Sequence, residues 1–414
     1  MEPSVRLPAL DQLKSADNKL RVLMLTWEYP PRIIGGISRV VEGLSKALVK
    51  LGVEVHIITN EMAGSPNEQD DDGVQVHRVQ IESPAPDFHS WILMMNHYFA
   101  KRAGRLSHEV GKFDIVHVHD WLTFPAGAET KSFLGNTMVT TLHSLEFRRS
   151  GGTNTPESKM IDSLEWWATY ESSIVVVCSG SMKSDTKSQF KVPEDKIWVI
   201  PIGIEPKRFE QRPNRDQVRS RYGVTNDQKL VLFVGRLTSQ KGCEYMIRAL
   251  PYVARYHNVR LLVVGDGYMR DELENIALSS GESWRISFLG FLKDSYLTEL
   301  LLCSDVMVIP SVYEPFGVVA LEGMAAGVPV VASNIDGLAE IIRHEENGVL
   351  AFPRDSSSLA WAVSRVLSDS KNTERLVQNA RNDVRNRYSW EAVAKLTLQA
   401  YQKAKGAVGA TIVE

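Results

Sequence analysis

The 414-residue sequence has only three cysteines, Cys178, Cys243 and Cys303. They stand far apart with no C-x-x-C pair, which argues against a disulfide framework and a thiolate zinc site. Cys178 and Cys303 sit in apolar runs, where a buried free thiol is expected. No run reaches the roughly 18 apolar residues of a membrane span. The first residues, MEPSVRLPALDQLKSADNKLR, lack the basic and then apolar order of a secretory signal. A net charge of −3 offers no global attraction for nucleic acid or anionic membranes. There is no H-x-x-x-H or H-E-x-x-H spacing and no G-x-x-x-x-G-K-[ST] loop, so neither a metal site nor a Walker phosphate loop is expected. These absences leave a soluble, cytoplasmic globular chain as the expectation.

What is present is 43% hydrophobic and 23% charged residues, over a length that exceeds the usual single core. Short apolar runs alternate with amphipathic segments, the pattern of parallel α/β units. RVLMLTW (21–27) reads as a strand, EYPPRIIGG as a loop, and Val41, Leu44, Leu48 and Leu51 mark one face of the helix that follows. The scheme restarts with KLVLFVG (229–235), the loop RLTSQKG, and the helix CEYMIRALPYVARY. The spacing predicts two doubly wound domains over 20–204 and 205–385, a tail over 1–19, and a closing helix and tail over 386–414. Ligands of such domains bind beyond the carboxyl ends of the strands, so the cleft between the two is the expected site.

Each motif falls just after a predicted strand. GRLTSQKG (235–242) presents Arg236 and Lys241 near a helix start, a receptor for a diphosphate or simply a solvated basic loop. Gly35-Gly36 can let backbone approach a ligand or adopt positive φ. GDGYMR (265–270) imitates a dinucleotide fingerprint, but Arg270 replaces the third glycine, and a tight strand-to-helix turn is the safer reading. HVHDW (117–121) and TLH (141–143) bring His119, Asp120 and His143 to the cleft edge, while His117 is assigned to the strand interior. NEQDDDG (67–73) reads as a hairpin turn and not a metal motif. The Met- and aromatic-rich segment 89–106 reads as a packing helix.

Taken together, EYPPRIIGG, HVHDW, TLH, GRLTSQKG, GDG, SVYEPFGVVALEGMAAGVPVVAS and YSWEAVA, in that order, resemble the retaining nucleotide-sugar glycosyltransferases of the glycogen- and starch-synthase type (family 4-like). The resemblance spans roughly residues 20 to 405. It implies the GT-B fold, two Rossmann-like domains facing across a cleft, with the last helix crossing back to the first. It implies a hexosyltransferase that needs no metal or cofactor, its ADP-, UDP- or GDP-sugar being a substrate. The catalytic set it carries over is Glu314, His143, Arg236, Lys241 and Asp120. Donor contacts would come from Gly35, Gly36, Arg236, Lys241, Gly265, Leu292, Glu314, Phe316, Gly317, Val318 and Glu322. In that scheme Arg236 and Lys241 neutralise the diphosphate, Glu314 lies at the sugar, and Glu322 holds the ribose.

Where glycogen synthases of bacteria carry lysine, x, glycine, glycine, this chain has Arg32-Ile33-Ile34-Gly35-Gly36. The departure weakens the assignment to glycogen synthesis itself. An α-glucan acceptor is the leading expectation. The alternative is GDP- or UDP-dependent mannosyl or glucosyl transfer to a lipid, disaccharide or polysaccharide. KRAGR (101–105) and FRRSGG (147–152) would then give peripheral membrane contact. A sugar-nucleotide epimerase and a non-catalytic relative are more remote.

Overall fold

The computed structural model describes residues 19–82 and 84–410. The predicted tail 1–19, apart from Lys19, and residues 411–414 lie outside the described residues. The first sheet holds β1 (Arg21–Leu25), β2 (Glu54–Asn60), β3 (Glu68–Asp71), β4 (Val74–Val79), β5 (Ile115–His119), β6 (Thr137–Leu142), β7 (Ile174–Val177) and β8 (Ile197–Val199). Their spatial order is β3-β4-β2-β1-β5-β6-β7-β8. All neighbours are parallel except the β3–β4 hairpin, where Asp72 and Gly73 take φ of 55° and 89°, the two-residue turn that NEQDDDG predicts. Residues 68–71 of that motif are strand and not turn.

The second sheet holds β9 (Lys229–Val234), β10 (Val259–Val264), β11 (Ile286–Gly290), β12 (Val306–Ile309), β13 (Val330–Ser333) and β14 (Val349–Ala351). It is parallel throughout, in the order β11-β10-β9-β12-β13-β14. Parallel strands are covered on both faces, which is why they read as unbroken apolar runs. Leu230, Val231 and Leu232 of β9 are fully buried, as are Val22 to Leu25 of β1.

The strand order reverses direction between β1 and β5 in one sheet and between β9 and β12 in the other. A crevice opens at such switch points, because successive connections leave toward opposite sides. The glycine loop follows β1, His119 and Asp120 end β5, Arg236 and Lys241 follow β9, and Glu314 follows β12. These four groups therefore stand at the two switch points, whereas TLH ends β6 and GDG follows β10, one strand away.

The helix Trp390–Ala410 returns to the first domain. Ser389 caps it by accepting the Ala392 amide at 3.3 Å. Val393, Ala394, Ala400, Tyr401 and Ala404 join the core formed by β1, β2 and the helix Ile37–Lys50. This is the expected crossing back. The helix Phe88–Val110 buries Ile92, Met95, Phe99 and Leu106, so one face of it is core, while Trp91, Met94 and Tyr98 are half-buried and Phe88 is exposed. All three cysteines are free and buried. No helix of the described residues is long and apolar enough to cross a membrane.

Candidate active site

On the first-domain edge the polar side chains are bound to one another. Glu28, just past β1 and 1% exposed, accepts the amide of Gly35 at 2.8 Å and that of Ile34. Its carboxylate thus shapes the glycine loop from beneath. Neither Gly35 nor Gly36 takes a positive φ, so that alternative falls away; Gly36 begins the helix Ile37–Lys50 at φ −75°. A Cβ at Gly36 would meet nothing within 4 Å, which leaves open space above the loop.

Asp120 is held at φ 60°, and its Oδ1 accepts the backbone N–H of His143 at 2.7 Å. Three histidines run from the interior to the cleft. His117 shares hydrogen bonds of 2.7 Å with Tyr401 Oη and of 2.7 Å with Thr141 Oγ1, so it is an interior group as expected. His119 Nδ1 lies 3.1 Å from His143 Nε2, and their rings stack at 5.4 Å. His119 is only 1% exposed, so it lies beneath the cleft edge where the sequence placed it on that edge. Burial pushes all three imidazoles down, His117 to about 3, and pushes the Asp120 carboxyl up. Only His143 of the three is half-exposed.

The second-domain edge carries charge toward the cleft. Arg236 is exposed on the loop after β9. Lys241, at the end of the single turn Ser239–Lys241, places its Nζ 2.6 Å from Glu314 Oε2, and Ser311 Oγ donates to the same oxygen at 3.2 Å. Gly317 takes φ 112°, a conformation an L-residue resists, and opens the helix Val318–Ala326 with free amides. Phe316 is 5% exposed and packs edge-on against Tyr388, so its side chain belongs to the core and only its backbone borders the cleft. Glu322, in the second turn, lies 3.4 Å from Arg208, and burial raises its carboxyl. Gly265 donates to the Gly290 carbonyl at 2.9 Å; a Cβ there would stand 1.9 Å from the Gly235 oxygen. That contact is the reason for glycine in GDG. Leu292 follows β11, half-buried against the core.

The two edges are tied together beside Glu314. Ser179 Oγ donates to the Pro315 carbonyl at 2.7 Å, and the Gly180 and Ser181 amides both reach the Glu340 carboxylate at 2.8 Å. Asp336, at φ 38°, takes Arg148 of the first domain at 2.8 Å on one oxygen and the Glu314 amide at 3.2 Å on the other. Arg39 at the start of the glycine-loop helix pairs with Asp294. Sequence reading missed Glu28, Asp336, Glu340 and Arg148 as site-shaping groups. Arg148 was counted only in a basic stretch suited to a membrane surface; it is paired with Asp185 and Asp336 instead. Arg102 of the other basic stretch is likewise paired, with Glu68 and Glu109. Among the described residues no three His, Cys, Asp or Glu side chains are grouped to hold a metal ion.

Two parallel-sheet Rossmann-like domains, with their switch points facing and one edge lined by cations, define a protein of the GT-B glycosyltransferase class. The model of Glycosyltransferase Family 4 matches residues 34–208 and that of Glycosyl transferases group 1 matches residues 214–383. The chain belongs to this family of glycosyltransferases. It is 44% identical to an uncharacterized glycosyltransferase of Methanocaldococcus jannaschii, over 94% of this chain and 100% of that one. It is 35% identical to a glycogen synthase of Mycobacterium tuberculosis, over 93% of this chain and 95% of that one. Among solved structures, sucrose-phosphate synthase from Thermosynechococcus elongatus superimposes with a TM-score of 0.78 at 24% identity, covering 94% of this chain and 100% of that one. The catalytic domain of starch synthase IV from Arabidopsis thaliana, bound to ADP and acarbose, gives 0.77 at 19% identity, covering 94% and 100%. These two likenesses speak for the fold.

Proposed function

We propose that this glycosyltransferase moves a hexose, glucose in the leading reading, from a nucleotide diphosphate sugar to an acceptor hydroxyl with retained anomeric configuration. The observation that carries the proposal is the alignment Lys241–Glu314–helix terminus–Glu322 along one edge of the cleft. Arg236 and Lys241 neutralise the diphosphate, and the amides opened by Gly317 add donors at the helix start. Glu322 takes the ribose hydroxyls. Glu314 lies at the sugar, and His143, oriented by Asp120 and His119, contacts the transferred hexose from the opposite edge. The bond from the anomeric carbon to the phosphate breaks, the acceptor oxygen bonds to that carbon, and the acceptor proton passes to the departing phosphate.

Glu314 already accepts from Lys241 and Ser311 on one oxygen, which lowers its power as a nucleophile. This favours a front-face route in which the protein shields and stabilises an oxocarbenium-like state. No step of this scheme calls on a metal or cofactor. The leading acceptor is the end of an α-glucan, a reading supported by the relative named glycogen synthase. The test is nucleotide release from ADP-, UDP- and GDP-sugars with and without maltooligosaccharide. Release that depends on the acceptor and yields a lengthened glucan with α-linkage supports the proposal; a β-linked product, or no turnover of any donor, refutes it.

A further inference from the structure

Away from the cleft, the outer strands of the first sheet bury two histidines against each other. His56 of β2 and His77 of β4 are 4% and 6% exposed, their rings lie parallel, and His56 Nδ1 stands 3.0 Å from His77 Nε2. The outer nitrogen of each ring meets a carboxylate. His56 Nε2 lies 3.1 Å from Glu54 Oε1, and His77 Nδ1 is bonded to Glu68 Oε2 of β3. Glu54, His56, His77 and Glu68 form one row with three contacts. Arg21 of β1 flanks it, donating to both oxygens of Glu54 at 2.7 and 3.2 Å. Arg102 of the helix Phe88–Val110 donates to Glu68 Oε1 at 3.0 Å and to Glu109, and lies 3.2 Å from His77 Nδ1. Phe113 covers His56 edge-on.

The three contacts fix how many protons the row holds. Each joins two atoms that are both acceptors unless a hydrogen sits between them. Three contacts need three hydrogens, whereas two neutral imidazoles bring two. Glu54 and Glu68 bring none, because each is ion-paired with an arginine. A row with only two would leave two lone pairs facing each other inside the fold, at the cost of an unmade buried hydrogen bond. A fourth proton has no contact to occupy, and burial pushes each imidazole down against it. The row is complete with one proton beyond the neutral rings.

The row seats the β3–β4 hairpin, and the hairpin in turn holds the glycine loop. Asp71 of β3 accepts Tyr29 Oη at 2.8 Å and pairs with Lys46 of the helix Ile37–Lys50 at 3.0 Å. Arg78, next to His77 in β4 and 5% exposed, donates to the carbonyls of Pro66 and Pro30 at 2.9 and 2.7 Å. Tyr29 and Pro30 lead directly into Arg32-Ile33-Ile34-Gly35-Gly36. Glu28 accepts the Ile34 and Gly35 amides further along. The hairpin fixes the start of the loop and Glu28 fixes its end.

We propose that the β3–β4 hairpin positions the glycine loop, and that the row Glu54–His56–His77–Glu68 seats the hairpin by keeping one proton more than two neutral imidazoles carry. Both histidines are positioning residues and neither touches a substrate. The importance of the loop for transfer rests on the hexosyltransferase reading, whereas the proton count does not. Loss of the proton breaks one of the three contacts. The one that gives is His77–Glu68, because the Glu68 side chain is 59% exposed and can turn to water.

The proton count is tested by urea unfolding of the full chain against His56→Gln/His77→Gln between pH 5 and pH 8. The folded pair holds one added proton throughout, while the unfolded pair holds two well below the ordinary value of 6.5 and none well above it. Below 6.5 the unfolded state binds more protons, so stability rises with pH; above it the folded state binds more, so stability falls. The folding constant of the parent relative to the variant should peak near pH 6.5 and be about eightfold lower at pH 5 and at pH 8. A ratio that only rises with pH means two neutral rings, one that only falls means two charged rings, and either overturns the proposal. Ring-nitrogen NMR of the parent with labelled histidine reads the same count without any variant. One imidazolium shared by the pair at pH 7 is expected, and two neutral rings overturn it.

Positioning is tested by hydrogen exchange over residues 28–36 near neutral pH. Asp71→Ala is expected to speed exchange there about tenfold. Asp71→Asn keeps an acceptor for Tyr29 and should restore the parent rate. Transfer from a nucleotide sugar should fall about tenfold in Asp71→Ala and recover in Asp71→Asn. Unchanged exchange in Asp71→Ala overturns the positioning role and leaves the hexosyltransferase reading standing. A parent chain without any transfer sinks that reading, and exchange and the proton count still decide this inference.

Discussion

The two cleft edges use polar side chains in opposite ways. On the first domain, His117, His119, Asp120 and Glu28 are all under 8% exposed, and their main bonds are to other parts of the same domain. On the second, Arg236 is exposed, and Lys241 and Glu314 remain partly open while paired with each other. One edge is a preformed wall whose polar groups sustain its own shape. The other is a charged face kept ready for a ligand. Substitutions should therefore separate: second-domain charges cost activity and spare stability, whereas first-domain groups cost stability.

Lys241→Ala gives the sharpest separation. Loss of one electrostatic donor at the transition state is expected to lower turnover about 10²–10³-fold. The melting temperature should stay within about 2 °C, because an ion pair this close to solvent contributes about 1 kcal/mol or less. A large drop in melting temperature would erase the contrast between the edges. Gly265→Ala tests a second-domain position where backbone, not charge, is limiting. With the Cβ 1.9 Å from the Gly235 carbonyl and φ at 129°, about 3 kcal/mol of stability should be lost in chemical denaturation. Unchanged stability would show that the β9 and β10 loops separate freely.

Glu165 lies beneath the first-domain loop 145–151, with both its oxygens facing the Glu146 amide at 3.0 and 3.1 Å. Burial pushes its carboxyl up to about 9. The folded chain then keeps a proton that the unfolded chain releases near its ordinary value of 4.5. Stability from this group is present below pH 4.5 and is lost as pH rises toward 9. Glu165→Gln removes that loss, so its stability relative to the parent should rise between pH 5 and pH 8, on the order of 4 kcal/mol. Urea midpoints at the two pH values check this, and a pH-independent difference contradicts it. Smallest is Tyr401→Phe, which leaves buried His117 Nδ1 unpaired and should cost about 1 kcal/mol in the same assay, with turnover nearly unchanged. A selective loss of turnover there would mean that the histidine stack communicates with the reaction.

The strands and their order of appearance were legible in the sequence because parallel strands buried on both faces leave continuous apolar runs, as in KLVLFV and IVHVH. The chemically distinctive groups were legible too: Arg236, Lys241, Glu314 and Glu322 follow strands or sit on a helix start, and only tertiary folding was needed to face them. Less legible was whatever acts through backbone amides. Glu28 on the glycine loop, Glu340 on Gly180, and Asp336 on Glu314 have partners without side-chain identity, so no spacing reports them. The setting of His117 depends on Tyr401 of the returning helix, 284 residues away in the chain. The partners of the basic stretches were hidden in the same way. FRRSGG and KRAGR look solvated in sequence, and folding supplies Asp336, Asp185 and Glu68 to pair with them.

The division of labour between the edges comes down to whether the second-domain cations hold the diphosphate. Calorimetric titration of ADP, UDP and GDP into the parent chain and Lys241→Ala measures this directly. A charged hydrogen bond of about 2 kcal/mol predicts that the preferred nucleotide binds the variant about 30-fold more weakly, with the melting curve preserved. Equal affinity in a folded variant would contradict the assignment of the diphosphate to this edge.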